Sequence, residues 1–537
     1  MKKKFALLMA AVVALSAVLS GCGGGTSSSA AASGSGSAAA AVSGSATAAD
    51  DGTLTIGAAS DIVTLDPHDQ NQTNCQDLFA SIGSTMFTRD LEFNLVNDLC
   101  TEYTQDSDTE WTFHIREGVK FNNGEDLTAD DVKYSYDRVS QDSALVGYTY
   151  LKAIVSTEVV DDYTVKVTTD GARPDLPTLL AMASSTIMPK DFMEENGIDG
   201  YIESPVTSGA YNLVEWVPDD HYTIEPNPDY YGEPATWDQV TYRVIPESST
   251  RVSELLAGGV DVIYNVPVNE WERVGAEGSG TSLVYGETSR VMLLVVRCTD
   301  GYATSDPLVR EALELAIDKD AICDTLLQGA GVPTRTRVAS SVPGFDESLY
   351  GSENANLYDP ERAMELLAEA GYGEGGQPLE ITLTSPNGRY LMDAEMAQMI
   401  AAYFEAVGVT VNLELVDGTV LNNMFTGKEN KDLLLIGLSD GQYDGLYALG
   451  NNADPARAEG QTDYFNDELT DLYNSARVEM DETARTEMEQ QMQQILAEDR
   501  PFIQIAQMNA VFGVSDRVTL TPRMDTNIMP DEVTLAQ

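Results

Sequence analysis

"WTFHIREGVKFNNGEDLTADDVKYSYDRV", residues 111 to 139, carries a histidine, an arginine, a glutamate and a run of aspartates in one short span. Two readings compete for it: an acid–base site, or a strand followed by a helix. Trp111, Phe113 and Ile115 alternate with Thr112, His114 and Arg116, the period of a half-buried strand. Gly118 and the Asn122-Asn123-Gly124 turn interrupt the chain. Thr128 then stands as an N-cap with Asp131 three residues on, a capping-box spacing, and Leu127 and Val132 are spaced as a hydrophobic staple. Asp130 and Asp131 fall in the first helical turn, where the dipole favours negative charge. Val132, Tyr136 and Val139 share one apolar face. Local folding therefore accounts for most of the acidic cluster.

The chain of 537 residues has material for two or three domains and a substantial core. Its 31 basic and 86 acidic residues leave a net charge of −55, which repels nucleic acid and anionic headgroups. The first residues are more specific. "MKKK" and the apolar "FALLMAAVVALSAVLS" form an export signal over 1–21, with an uncleaved anchor helix as the alternative. "LSGC" follows and resembles a lipobox, which makes Cys22 the expected lipidation site. From Cys22 to Ala49 a Gly/Ser/Ala stretch has nothing to bury and reads as a flexible tether with a reach of about 30 Å. Anchor, tether and body describe a protein held at the extracytoplasmic face of a membrane. Cys75, Cys100, Cys298 and Cys323 show no metal spacing; isolated thiols and a Cys75–Cys100 bridge are both open.

Further helices use the same starting device. "DPLVREALELAIDKDAICDTLLQG" places Asp306 as cap and Pro307 at the first position, and is expected to run as one helix to Gly329. "DPERAMELLAEAG" repeats this with Asp359, Pro360 and Gly371. Strand-like runs lie near 164, 238, 289, 409 and 432, and a long polar helix near 481–500 stops before Pro501. Irregular alternation of strands and helices gives a mixed α/β fold of several lobes.

Enzyme signals are few. His68, His114 and His221 are far apart, and no HExxH or P-loop is present, so neither a metal nor a nucleotide cofactor is expected. "GLSDG", residues 437–441, matches G-x-S-x-G after an apolar strand. A secreted serine hydrolase using Ser439 is the reading this raises. In that fold the histidine follows the serine, and here all three precede it.

Taken together, the motifs resemble the oligopeptide/dipeptide-type solute-binding proteins of ABC importers, in lipoprotein form. "TFHIREGVKFNNGEDLTADDVKYSY" is similar to that family's strand, Gly turn and "L-T-A-x-D-V" helix start. "LDPH" at 65–68, "PVTSGAYNLVEW" at 205–216, "VREALELAID" at 309–318, "YDPERAMELLAEAGY" at 358–372 and "YFNDELTDLY" at 464–473 are similar to further family segments in the same order. The resemblance covers about residues 51–520. It implies a two-lobed, hinge-closing (Venus-flytrap) periplasmic-binding-protein fold with an extra subdomain in the N-terminal lobe. Lobe I would comprise 50–98, 205–299 and 501–537, the extra subdomain 99–204, and lobe II 300–500.

The resemblance also implies a function: a monomer that captures a peptide between the lobes and passes it to an ABC permease powered by separate ATPase subunits. Non-peptide solutes such as a nickel complex, glutathione or a sugar are the alternative. No nucleic acid partner and no catalysis are implied. In peptide-binding members an Asp shortly after a "GW" pair holds the α-ammonium. The matching segment is Gly437-Leu438-Ser439-Asp440, which points to Asp440, with Leu438 replacing the Trp. A turn cap is the other reading of Asp440. Arg297 stands in a segment that usually reads F-N-T, and is expected either to face the cleft and pair with a ligand carboxylate or to lie on the surface.

Overall fold

The structure is a computed structural model, and it describes residues 52–536 except Asn71 and Glu374. Residues Asp50–Gln537 form one compact unit. The export signal, the lipidation site Cys22 and the tether lie outside the described residues. Among the described residues, no helix is long and apolar enough to cross a membrane.

The stretch at 111–139 folds from its local signals. A strand spans Glu110–Ile115 with Trp111, Phe113 and Ile115 buried. Helix Ala129–Gln141 follows, and both the amide and the hydroxyl of Thr128 donate to Oδ2 of Asp131, at 2.8 and 3.0 Å. The other oxygen of Asp131 accepts from the Lys190 amide at 2.8 Å, so the residue that starts one helix also ties down the start of a later one, Lys190–Glu203. Val132, Tyr136 and Val139 are fully buried against a four-stranded antiparallel sheet, ordered Cys100–Ser107, Glu110–Ile115, Thr164–Thr169, Ile154–Asp161. This small sheet and its helix have their own core.

The remaining body is organised on one eleven-stranded sheet. Two long antiparallel strands, Thr281–Val296 and Phe502–Ser515, form its middle. On one flank Val262–Ile263, Thr53–Ala58 and Gln239–Val244 continue the sheet from the C-terminal end of Phe502–Ser515. On the other flank Leu433–Leu438 pairs with the Val291–Val296 part of the first long strand and, in parallel, with Leu379–Pro386, and Val409–Val416 follows. The pairing of the two long strands is interrupted between Glu287 and Val291 and again between Met292 and Leu293. A β-bulge bends the strand that carries it, so the two flanks meet at an irregular crossing of the two long strands, where the short strand Gly331–Pro333 also pairs with Ala506–Met508. One core holds Leu54, Ile56, Phe79, Trp237 and Phe512 on the first flank; a second runs along the sheet from Val252, Ile263 and Trp271 to Leu313, Ile381, Ile400, Phe404 and Leu435.

The helix expected from Pro307 to Gly329 is broken. It ends at Ala316, Ile317 is extended, and Asp318 accepts from the Ala321 amide at 3.1 Å to start a new short helix followed by a π-turn. An interior Asp competes for backbone N–H groups as a cap does. The break carries Lys319 inward onto Glu314 at 3.1 Å. Helix Pro360–Glu369 and helix Glu482–Asp499 form where their caps Asp359 and Asp481 place them. The four described cysteines are free, and Cys75–Cys100 is not a bridge.

Candidate functional site

Strand Leu433–Leu438 enters the site from the buried side, its first four residues fully enclosed. Gly437 is held tightly: a Cβ there would stand 2.8 Å from Met292 Sδ and 3.0 Å from a Tyr390 ring carbon. The Tyr390 hydroxyl donates to the Gly437 carbonyl at 3.0 Å. Leu438 is half-buried and Ser439 exposed. Ser439 Oγ accepts from Arg290 Nε at 3.2 Å and its carbonyl from Arg337 Nη2 at 3.0 Å. None of the three histidines hydrogen-bonds Ser439. His68 is buried between the Thr186 carbonyl and Arg138 and is pulled down to about 4 by burial, His114 meets Thr164, and His221 meets Asp220 and Glu215. No histidine is therefore placed to act as the general base of a Ser439 nucleophile.

Asp440 is 1% exposed. Its Oδ1 accepts from the amides of Gln442 (3.0 Å) and Tyr443 (2.8 Å), and its Oδ2 from the amide of Asp444 (3.0 Å). The Ser289 hydroxyl, from the irregular crossing of the long strands, exchanges hydrogen bonds with the Asp440 backbone at 3.0 and 3.2 Å. Burial pushes the Asp440 carboxyl up to about 7, against the pull of Arg337 and of the amides. The carboxylate is thus committed to the shape of its own loop. Asp444, next along, caps helix Gly445–Ala453 and pairs with Arg485 at 2.5 Å. Behind it Glu489 is pushed up to about 8 by burial.

That loop forms one wall of a cavity of about 210 Å³. Gly441, Gln442 and Tyr443 come from the loop after the second-flank strand Leu433–Leu438; Phe79 and Ser84 come from helix Thr73–Ile82 and the chain after it, Arg89 and Phe93 from the separate hairpin of Phe87–Arg89 and Leu95–Asn97, Asp98 from just beyond it, and Arg523 and Asn527 from the chain after Phe502–Ser515. Phe93 and Tyr443 meet across it, ring centroids 4.5 Å apart and 61° inclined. Both have left-handed backbone, φ 69° and 54°, a conformation that costs energy in a non-glycine residue and clusters at ligand clamps. Phe93 also inserts into the apolar cluster of Val338, Val342 and Leu446 from the opposite side.

Arg297 is neither on the cavity wall nor on the open surface. Its Nη2 pairs with Asp463 at 2.6 Å, its Nη1 donates to the carbonyls of Gly460 and Gln461, and its guanidinium lies 5.5 Å from the Tyr302 ring. A bidentate donor held this way fixes the 460–463 loop. The residues that the sequence reading missed are Arg89, Phe93, Tyr443 and Arg523. Tyr443 follows Asp440 closely enough to have been inferred from the loop. Arg89, Phe93 and Arg523 give no local signal, because only the fold brings them to the cavity.

Comparison with known proteins agrees with this architecture. Residues 94–466 match the model of "Bacterial extracellular solute-binding proteins, family 5 Middle". The glutathione-binding protein GsiB of Salmonella typhimurium is 29% identical over 384 residues, 71% of this chain and 72% of the relative. For GsiB of Salmonella paratyphi A the identity is 31% over 327 residues, 60% of this chain and 62% of the relative. Among solved structures, NikA from Brucella suis in complex with Fe(III)-EDTA superposes with a TM-score of 0.78 at 24% identity, covering 90% of this chain and 99% of that one. DppA from Helicobacter pylori in complex with the peptide STSA superposes at 0.69 and 23%, covering 90% and 98%. The two-lobed architecture of these neighbours is the fold found here. The chain belongs to family 5 of the bacterial extracellular solute-binding proteins, the extracytoplasmic solute-binding components of ABC importers.

Proposed function

We propose that the protein captures a peptide between its two lobes and delivers it to an ABC permease driven by separate ATPase subunits, while a lipid on Cys22 holds it to the membrane. The observation that carries this reading is the cavity whose walls come from both flanks of the sheet, with the clamped 441–443 loop on one side and Phe93 reaching across from the other. A site divided between lobes is the kind that closes on its ligand by hinge motion. The peptide assignment draws on the peptide complex of DppA and on the glutathione-binding relatives. In this reading lobe I takes 50–98, 205–299 and 501–537 and lobe II 300–500, and the interrupted pairing between Glu287 and Val291 supports a hinge close to the first exchange.

Binding to the native state raises apparent stability in proportion to ligand concentration over Kd. A thermal-shift panel of di- to pentapeptides, glutathione, sugars and chelated nickel tests the assignment. A shift with a peptide is the expected result. A clear shift with sugars or metal complexes and none with any peptide would replace the peptide by that solute. For the anchor, mass spectrometry of the membrane-extracted protein should find Cys22 as a lipidated N-terminus.

A further inference from the structure

We infer that Arg89 pairs with a carboxylate of the bound solute. The inference rests on the reading that the cavity between the lobes is the ligand site.

Arg89 lines that cavity from the short strand Phe87–Arg89. Its guanidinium lies 5.0 Å from the centre of the Phe93 ring and 5.4 Å from that of Tyr443. Two rings that meet across the cavity thus both border the cation, Phe93 from the hairpin that carries Arg89 and Tyr443 from the loop after Asp440. Of its five N–H donors, one is used: Nη1 donates to the Phe93 carbonyl at 3.1 Å. No carboxylate of the described residues lies within 4.0 Å of it.

The neighbours explain why the charge is left over. Arg523, on the same wall, is satisfied by Asp525 at 3.1 Å and Glu532 at 2.8 Å, and also donates to the Arg89 carbonyl at 3.2 Å. Asp98, also on the wall, receives the Tyr231 hydroxyl at 2.5 Å and makes no ion pair. The two acids whose charges reach Arg89 are engaged elsewhere, Asp525 with Arg523 and Asp440 with the amides of its own loop. In a chain with 86 acidic residues, an enclosed arginine without an acidic partner is not explained by scarcity of acids. Enclosed charges are ordinarily paired. A planar fork with free donors, set against a pair of rings and lining a cavity, is the arrangement that receives a carboxylate from outside. Because Tyr443 completes the holder only when the lobes are together, the pairing also favours the closed form.

The carboxylate can be the C-terminus of a peptide or an acidic side chain. Isothermal titration of the full chain with Ala-Ala-Ala, its C-terminal amide and Ala-Glu-Ala amide separates the two sources. The wild type is expected to bind carboxylate-bearing forms about 10- to 100-fold more tightly than Ala-Ala-Ala amide, the range of a charge-assisted pair. Arg89→Met should remove that preference by weakening only the carboxylate-bearing forms; Arg89→Gln serves if the Met variant does not fold. Equal binding of all three peptides by the wild type overturns the inference while leaving the peptide assignment standing. So does an equal loss for both forms in the variant, the mark of a merely structural Arg89. If no peptide binds and a metal–EDTA complex does, the peptide assignment falls and the variant is titrated with that complex, where undiminished affinity overturns the role of Arg89. Binding of uncharged sugars alone, or of nothing in the panel, overturns both.

Discussion

Replacing Asp440 by Ala separates the two roles a carboxylate can have at this position. The side chain accepts three backbone N–H bonds, from Gln442, Tyr443 and Asp444, at 2.8 to 3.0 Å. Bonds of an amide to a charged acceptor contribute about 1.5–3 kcal/mol each, but they are not additive and part of the loop can turn to water. Burial, which pushes the carboxyl up to about 7, offsets some of the gain. A loss of about 2–4 kcal/mol in unfolding free energy follows. Asp440→Asn keeps an acceptor for Gln442 and Tyr443 but sets an NH2 group against the Asp444 amide, so about half that loss is expected. Because the 441–443 segment lines the cavity, the Ala variant should weaken all solutes alike. Urea denaturation gives the stability term, and titration with a tripeptide and its N-acetylated form gives the binding term. A variant of wild-type stability that selectively loses the peptide with the free amino group would refute the loop-clamp account and make Asp440 the partner of the ligand's ammonium.

Three further outcomes are expected. Glu314, 2% exposed, meets Lys319, Arg335 and Arg500 at 2.7 to 3.1 Å, and these cations outweigh burial to hold its carboxyl at about 2. Glu314→Gln should cost about 3–5 kcal/mol in urea denaturation because it leaves buried cations under-compensated; less than about 1 kcal/mol would contradict the assignment. With a depressed folded pKa, the contribution of Glu314 is present above its unfolded value near 4.5 and is lost as pH falls through about 2. Glu489 is the opposite case: burial raises it to about 8, so between about 4.5 and 8 the native state binds the extra proton and stability falls as pH rises, by at most about 1.4 kcal/mol per pH unit. Glu489→Gln should flatten that decline between pH 5.5 and 8.5, and an unchanged slope would place the proton elsewhere. Phe93→Ala removes a side chain 4% exposed from the contact between the lobes, at a cost of about 3 kcal/mol. The variant should show a larger radius of gyration and weaker solute binding, and wild-type values of both would deny Phe93 a part in closure.

What could be read in the sequence was local. The strand Glu110–Ile115 and the helix after Thr128 are set by alternation and by a capping box, and both formed as read. The helix from Pro307 was read too long because Asp318 looks like an ordinary surface residue until Lys319 finds Glu314. The segment 437–440 could be located, yet its carboxylate turned out to serve its own loop. Arg297 stood out by type, but its partner Asp463 lies far along the chain. Arg89 and Phe93 sit in an unremarkable hairpin, and only the approach of Tyr443 from the other lobe gives them a site.

The central claim is capture of a peptide with a carboxylate facing Arg89. It is tested most directly by denaturing the protein as purified from its own cells and identifying by mass spectrometry what is released. The account predicts short peptides bearing a free carboxylate, absent from the same preparation of Arg89→Met. Release of a metal complex or a sugar, or of peptides equally abundant in the variant, would contradict it.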